Sequence, residues 1–95
     1  MADHSRVIRI SRFVPAPAMR AELLAALHEL AIAVRRIEGC FGVQVCDVSE
    51  DPTAVIVVSR WSSAEAVARM PVEQVRARVA HLVVGEARTE HLIPL

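Results

Sequence analysis

The sequence contains no lysine and no tyrosine, and only Phe13, Phe41 and Trp61 are aromatic. Its 11 basic residues are all arginine, and they balance 11 acidic residues. With a formal net charge of zero, the chain lacks the excess of positive charge that is typical of proteins that bind nucleic acid or an anionic membrane surface. Since 54% of the residues are hydrophobic, the chain is too apolar to be disordered, and its core must be built from Val, Leu, Ile and Ala.

Long hydrophobic runs are also missing. The longest Val/Ile run, residues 55–58, is far shorter than the roughly 18 residues of a membrane span. The first residues lack the charged and then apolar layout of a signal peptide. Cys40 and Cys46 would lie about 20 Å apart on one strand, too far for a disulfide. We therefore expect a cytoplasmic protein with reduced cysteines, no metal site and no membrane contact.

Hydrophobic periodicity predicts both strands and helices. Apolar residues recur at helical spacing from Leu23 to Ile37, and Gly39 is placed to end that helix. Ser62 and Glu65 have the spacing of a capping box at the start of a second helix. The predicted order is strand, helix, strand, strand, helix and strand, over residues 6–14, 18–38, 40–48, 53–61, 62–85 and 86–92.

The second helical region is expected in two parts. Pro71 interrupts it after Met70 and is well placed to open a further helix, which Gly85 closes. Arg6, Arg9 and Arg12 are interpreted as residues of a solvated strand edge.

This order is typical of a ferredoxin-like α+β fold, in which helices cover one face of a four-stranded antiparallel sheet. Residues 54–58 are apolar at every position, whereas a strand with one face in water should alternate. The chain has no further element to cover the second face. A homodimer would cover it; the alternative is an exposed apolar face, which is uncommon on monomers.

Three segments resemble the antibiotic biosynthesis monooxygenase (ABM) domain in their order and spacing: Glu38–Gly42, Glu50–Pro52 and Val58–Ala66. Phe13–Pro17 fits the exit of that family's first strand. The resemblance implies one domain over residues 1–95, with its core at about 6–93. It also implies a dimeric α/β barrel with a small pocket between the helices and the sheet of each subunit.

The resemblance implies two kinds of chemistry. Some relatives oxidise aromatic polyketides to quinones with O2 and without metal or flavin, whereas a haem-degrading branch cleaves haem. The Asn and Trp positions of that branch fall near Ile10 and on Met70 here, and its His position falls near Val79. Haem degradation is therefore not expected.

The pocket is expected to be mostly aliphatic, which would exclude water and favour a small apolar or aromatic molecule. Trp61 is a candidate for stacking on a flat substrate, although a packing role fits it as well. His91 alternates toward the buried side of the last strand and is the candidate base, whereas His28 and His81 are predicted to face solvent. The predicted lining residues are Ile10, Ser11, Leu27, Val58, Ser59, Trp61 and Met70.

Two functions remain open. The first is a cofactor-independent monooxygenase of the ABM type that acts on a small aromatic or quinone-like substrate. The second is a non-catalytic dimeric module that binds a small apolar ligand or a partner protein, because no polar catalytic residue of the family carries over.

Overall fold

A computed structural model describes residues 6–95 of the chain. Four antiparallel strands form one sheet in the order β2-β3-β1-β4, and the helices pack on one of its faces. This arrangement confirms the predicted ferredoxin-like α+β fold. Residues 1–5 of the predicted domain lie outside the described residues. The elements are β1 (Val7–Phe13), α1 (Arg20–Arg35), β2 (Cys40–Val48), β3 (Asp51–Trp61), α2 (Ala64–Val67), α3 (Val72–Val79), a 3₁₀ turn (Ala80–Leu82) and β4 (Arg88–Leu92).

The first helix is shorter than its apolar pattern predicts. It begins at Arg20 because Ala18 has a positive φ of 64°, which a right-handed helix cannot contain. It ends at Arg35, and the turn that follows leads to Gly39, whose φ is 94°. The predicted stop at this glycine is therefore three residues too late for the helix itself, although the glycine does make the turn into β2.

The predicted capping box is wrong by one residue. Ser63, not Ser62, caps α2, and its hydroxyl oxygen accepts a hydrogen bond from the backbone N–H of Ala66 at 3.2 Å. The helix then ends at Val67, before the predicted end at Met70. Two adjacent serines offer the same side-chain chemistry, so residue type alone did not distinguish them.

The bounds of the last two elements also differ from the prediction. Helix α3 follows directly on Pro71, as predicted, but it ends at Val79 rather than at Gly85. The glycine has a φ of 69° and belongs to the loop between the 3₁₀ turn and β4. Strand β4 starts at Arg88 instead of residue 86.

The two faces of the sheet have different surroundings. On the face toward the helices, Val55 and Trp61 are fully buried, and Leu23 of α1 packs in one core cluster with Val55. On the other face, Ile10 of β1 and Val58 of β3 lie directly opposite each other and are only half-buried. No helix within residues 6–95 is long and apolar enough to cross a membrane.

Candidate functional site

A cavity of about 330 Å³ lies between α3 and the sheet edge formed by β1 and β4. A smaller cavity of about 40 Å³ adjoins it, between α1 and the middle of the sheet. Arg9, Phe13, Met70 and Val75 line both cavities. The two cavities therefore form one candidate site on the helix-covered face.

The position of α3 explains the larger cavity. The helix starts only after Pro71 and packs against α1, and its buried residue Val79 joins the core around Phe13 and Leu23. Strand β4 remains exposed along its whole length, so α3 does not close onto it. Space therefore remains between the helix and this half of the sheet.

Arg9 is the charged residue that lines both cavities. Its side chain is half-buried on the helix-facing side of β1, and burial lowers the pKa of its guanidinium from the ordinary arginine value. No side-chain hydrogen bond or ion pair joins it to any other residue among 6–95. The prediction of a solvated strand edge is therefore wrong for Arg9, because strand alternation directs it under α3 rather than outward.

Trp61 and Ser59 are joined by a buried hydrogen bond. The indole Nε1–H donates to Ser59 Oγ at 2.8 Å. Trp61 is 0% exposed and packs with Val7, Ala31 and Val34. It also lines a separate hollow of about 370 Å³, together with Ile8 and Phe41, at the end of the sheet away from α3. The structure places the indole in the core behind Ser59, outside the lining of the two cavities on the helix side.

A second hydroxyl pair connects β1 to β4. Ser11 and Thr89 face each other in the strand register, and their hydroxyl oxygens are 2.9 Å apart. Ser11 lines the smaller cavity and Thr89 the larger one. This pair fixes the edge strand next to the site.

The structure brings four of the seven predicted lining residues together around the smaller cavity: Ser11, Leu27, Ser59 and Met70. Ile10 and Val58 do not join them, because successive side chains of a strand point to opposite faces and their neighbours Ser11 and Ser59 point toward the helices. Both therefore lie on the open face of the sheet, and the expectation that they line the same pocket is corrected.

The three histidines of the described chain, residues 6–95, lie outside the site. His91 is opposite Arg9 in the register, but it is exposed rather than enclosed as expected. His28 is exposed with its Nδ1 2.8 Å from the carbonyl oxygen of Leu24, and His81 is exposed in the 3₁₀ turn. Within residues 6–95, the charged side chains that line the two cavities are Arg9, Arg76 and Glu86.

Sequence reasoning missed Arg9, Val75 and Thr89 as lining residues. Arg9 could have been found from the sequence. Every second residue of a strand lies on the same face, so Arg9 shares a face with Val7 and Phe13. These two apolar residues indicate that this face packs against the helices. Val75 and Thr89 could not have been found in this way, because their role depends on how far α3 stands from β4. No group of three or more His, Cys, Asp and Glu side chains within residues 6–95 is arranged to hold a metal ion.

Comparison with family models matches residues 6–70 to the antibiotic biosynthesis monooxygenase family. Among solved structures, Rv0793 from Mycobacterium tuberculosis is similar, with 25% identity, a TM-score of 0.86 and 96% of each chain covered. A protein from Caulobacter crescentus has 18% identity and a TM-score of 0.86, with 97% of this chain and 92% of that chain covered. One from Chloroflexus aurantiacus has 24% identity and a TM-score of 0.77, with 96% and 94% covered. Both are named as proposed antibiotic biosynthesis monooxygenases.

No curated protein matches the chain. The family match nevertheless spans more than half of the sequence, and it includes β1, α1, the β2–β3 hairpin and α2. The chain belongs to the antibiotic biosynthesis monooxygenase family.

Proposed function

We propose that the protein is a monooxygenase that oxidises a small aromatic or quinone-like molecule with O2, without metal or flavin, in the cavity beneath α3. The observation that carries this proposal is a largely apolar cavity of about 330 Å³ with one half-buried arginine, in a chain of the ABM family. A volume of this size is at the lower end of the range for small-molecule sites.

An anthrone-type substrate illustrates the reaction. Its ring CH2 becomes a carbonyl, one oxygen atom of O2 enters the product and the other leaves as water. The reactive species is the deprotonated substrate, which transfers electrons to O2. A site that excludes water and holds a fixed positive charge favours that anion.

The residues in and next to the cavity have different roles in this proposal. Phe13, Met70 and Val75 form apolar walls, and Arg9 provides the positive charge. In this proposal Trp61 is a positioning residue that acts through Ser59, and His91 has no assigned role because it lies outside the lining.

The direct test is O2 uptake and quinone formation with a panel of anthrone and hydroquinone substrates. Val75→Phe fills the cavity and should abolish turnover. Val84→Phe is the matched control, because Val84 is 56% exposed and does not line the cavity. Absence of turnover above background by the wild-type protein across the panel would contradict the proposal.

The second candidate is a non-catalytic dimeric module that binds a small apolar ligand or a partner protein. It is favoured by the lining itself, which contains no histidine among the described residues. Thermal stabilisation by the same compounds without O2 uptake would support this function over the first.

Haem degradation is not part of the proposal. The Asn position of haem-degrading relatives falls near Ile10, in β1, and their Trp position falls on Met70, which is 8% exposed. A haem titration should give no Soret shift, and a saturable shift would contradict this exclusion.

We also propose that two copies associate through the open face of the sheet. Ile8, Ile10, Ile56 and Val58 form a half-buried apolar strip on this face, which would be desolvated by a second sheet. Sedimentation should give the mass of two chains, and Ile10→Arg should reduce it to one. Ile32→Arg, at a 51% exposed position on α1, should leave the dimer intact; a single-chain mass for the wild type would contradict the proposal.

A further inference from the structure

We infer that the cavity binds its aromatic ligand as an oxyanion, with the charged oxygen held between Arg9 and Ser59. The aromatic part of this inference rests on the proposed function. The oxyanion part rests on the hydrogen-bonding groups of the cavity.

Arg9 is the first of these groups. A guanidinium carries five N–H donors and no acceptor, and Arg9 meets no carboxylate or hydrogen-bond acceptor side chain within residues 6–95. Burial without a partner is unfavourable for a charged group, so a ligand that brings a negative oxygen would relieve the cost. A neutral apolar ligand would instead bury the guanidinium further.

Ser59 is the second group, and it lies directly opposite Arg9 in the β1–β3 register. Its oxygen already accepts the indole N–H of Trp61 at 2.8 Å. The single hydroxyl proton of Ser59 is therefore free to be donated into the smaller cavity, which this residue lines.

The hydroxyl pair of Ser11 and Thr89 adds a further donor. The 2.9 Å hydrogen bond between them uses one of their two protons and leaves the other available. Together with Arg9 and Ser59, these groups offer protons to a ligand from the sheet side of the cavity. An oxyanion, which only accepts hydrogen bonds, complements these donor groups. Hydrogen bonds to a charged oxygen are stronger than hydrogen bonds to a neutral one.

The other charged groups around Arg9 do not neutralise it. Arg76 of α3 lies at the rim and pairs with Glu73 at 3.2 Å. Glu86, in the loop before β4, also lines the cavity but forms no ion pair with Arg9, and His91 of β4 is exposed. The positive charge therefore remains available to a ligand.

The apolar walls determine the rest of the ligand. Phe13, Met70, Val75 and Val79 line the larger cavity beside Arg9. A flat ring against these side chains would have its charged oxygen directed at the sheet. Phenolates and aromatic carboxylates share this chemistry, and a phenolate is the one that the proposed oxidation requires.

Three probes of similar size distinguish a phenolate ligand, a carboxylate ligand and a neutral ligand without any turnover. They are 4-nitrophenol, 4-nitrobenzoate and nitrobenzene, respectively. The dimeric or monomeric protein, as purified, is titrated with each under anaerobic conditions. For 4-nitrophenol the pH is set below its solution pKa, and the phenolate absorbance is followed. We expect the bound phenol to have the phenolate spectrum and to bind more tightly than nitrobenzene.

Arg9→Met should weaken phenolate binding about 10- to 100-fold, as expected for a hydrogen bond to a charged group, and should return the bound spectrum to that of the neutral phenol. Arg9→Lys should restore part of the affinity. Arg36→Met removes the same charge from an exposed position at the end of α1 and should change neither quantity. Circular dichroism establishes that each variant is folded.

Several results would overturn the inference: a neutral spectrum for the bound phenol, equal affinity for nitrobenzene, equal binding by Arg9→Met, or no binding of any probe. Preference for 4-nitrobenzoate with loss in Arg9→Met would support the oxyanion site and identify the carboxylate as its ligand. Because no step needs O2, failure here is distinguishable from failure of the proposed oxidation, which is measured by O2 uptake.

Discussion

Trp61 and Ser59 are linked by a hydrogen bond of 2.8 Å from the indole Nε1–H to the serine hydroxyl, and both side chains are almost completely buried. Trp61 belongs to the core around Val7 and Val34, whereas Ser59 lines the smaller cavity. This one contact therefore connects the packing of the core to the position of a polar group in the candidate site.

Ser59→Ala should destabilise the fold by about 1–3 kcal/mol, because the buried indole N–H loses its acceptor. Urea denaturation measures the change in the free energy of unfolding. A Trp61→Phe/Ser59→Ala double-mutant cycle tests the cause. The double variant should lose less stability than the sum of the two single variants, and strict additivity would contradict the coupling.

Arg9→Met should stabilise the protein while it impairs ligand binding. The change removes a half-buried guanidinium that has no partner among residues 6–95 and retains an unbranched apolar side chain of similar length. We expect a gain of about 1 kcal/mol, which corresponds to a Tm increase of roughly 4–8 °C in a domain of this size. Arg36→Met, on the surface, should remain within about 0.5 kcal/mol of the wild type. A loss of stability in Arg9→Met would show that the guanidinium is already satisfied in the free protein.

Gly39→Ala should be much more damaging than Gly85→Ala. Both glycines have positive φ values, 94° and 69°, so each substitution introduces backbone strain of about 1–2 kcal/mol. A Cβ on Gly39 would also lie 2.5 Å from the Cβ of Ala66 and 2.9 Å from Ser62 Oγ, whereas one on Gly85 would meet no atom within 4 Å. Urea denaturation gives the free energy of unfolding that each variant loses. The difference between the two losses therefore measures the steric cost at Gly39, where Ala66 of α2 lies close to the turn before β2. Equal losses would contradict that interpretation.

Asp51 should contribute to stability at neutral pH and lose that contribution in acid. Hydrogen bonds from the Thr53 hydroxyl at 2.5 Å and from its backbone N–H at 3.0 Å, together with the charge of Arg12, lower the pKa of this carboxyl from its ordinary value of 3.8. A lowered folded-state pKa stabilises the fold above the unfolded-state value, and the gain disappears as pH falls through the folded-state value.

Urea midpoints measured as a function of pH test this expectation. The wild type should lose stability as pH falls below about 4, and Asp51→Asn should lack that component. Glu50→Gln removes the same charge from the same turn but leaves Asp51 in place, so it should retain the acid-side loss. If Asp51→Asn lost as much stability at low pH as the wild type, the role of this carboxyl would be contradicted.

The sequence predicted most of the fold because its signals are local. Strand alternation and the apolar stripe from Leu23 to Ile37 predicted the element order, and turn residues at 49–52 predicted the hairpin of β2 and β3, although β3 begins at Asp51 rather than at the expected residue 53. The errors at Ser62 and at the start of α1 are also local: two adjacent serines are equivalent as caps, and nothing in an alanine reveals that its φ is positive.

The candidate site was harder to predict because it depends on distances between elements. Alternation could have separated Ile10 from Ser11, since neighbouring side chains of a strand cannot line the same pocket. It could also have identified Arg9 as helix-facing. The cavity itself could not be predicted, because it exists only where α3 packs on α1 and stands away from β4.

The central claim, oxidation of an aromatic molecule by O2 within this cavity, is tested most directly with isotopically labelled oxygen. Purified protein is incubated with an anthrone-type substrate under ¹⁸O2, and the quinone is analysed by mass spectrometry. We expect one labelled oxygen atom per quinone formed with the wild type and with Val84→Phe, and no enzymatic product with Val75→Phe. Unlabelled quinone, or labelled quinone at the same rate in Val75→Phe, would contradict the account.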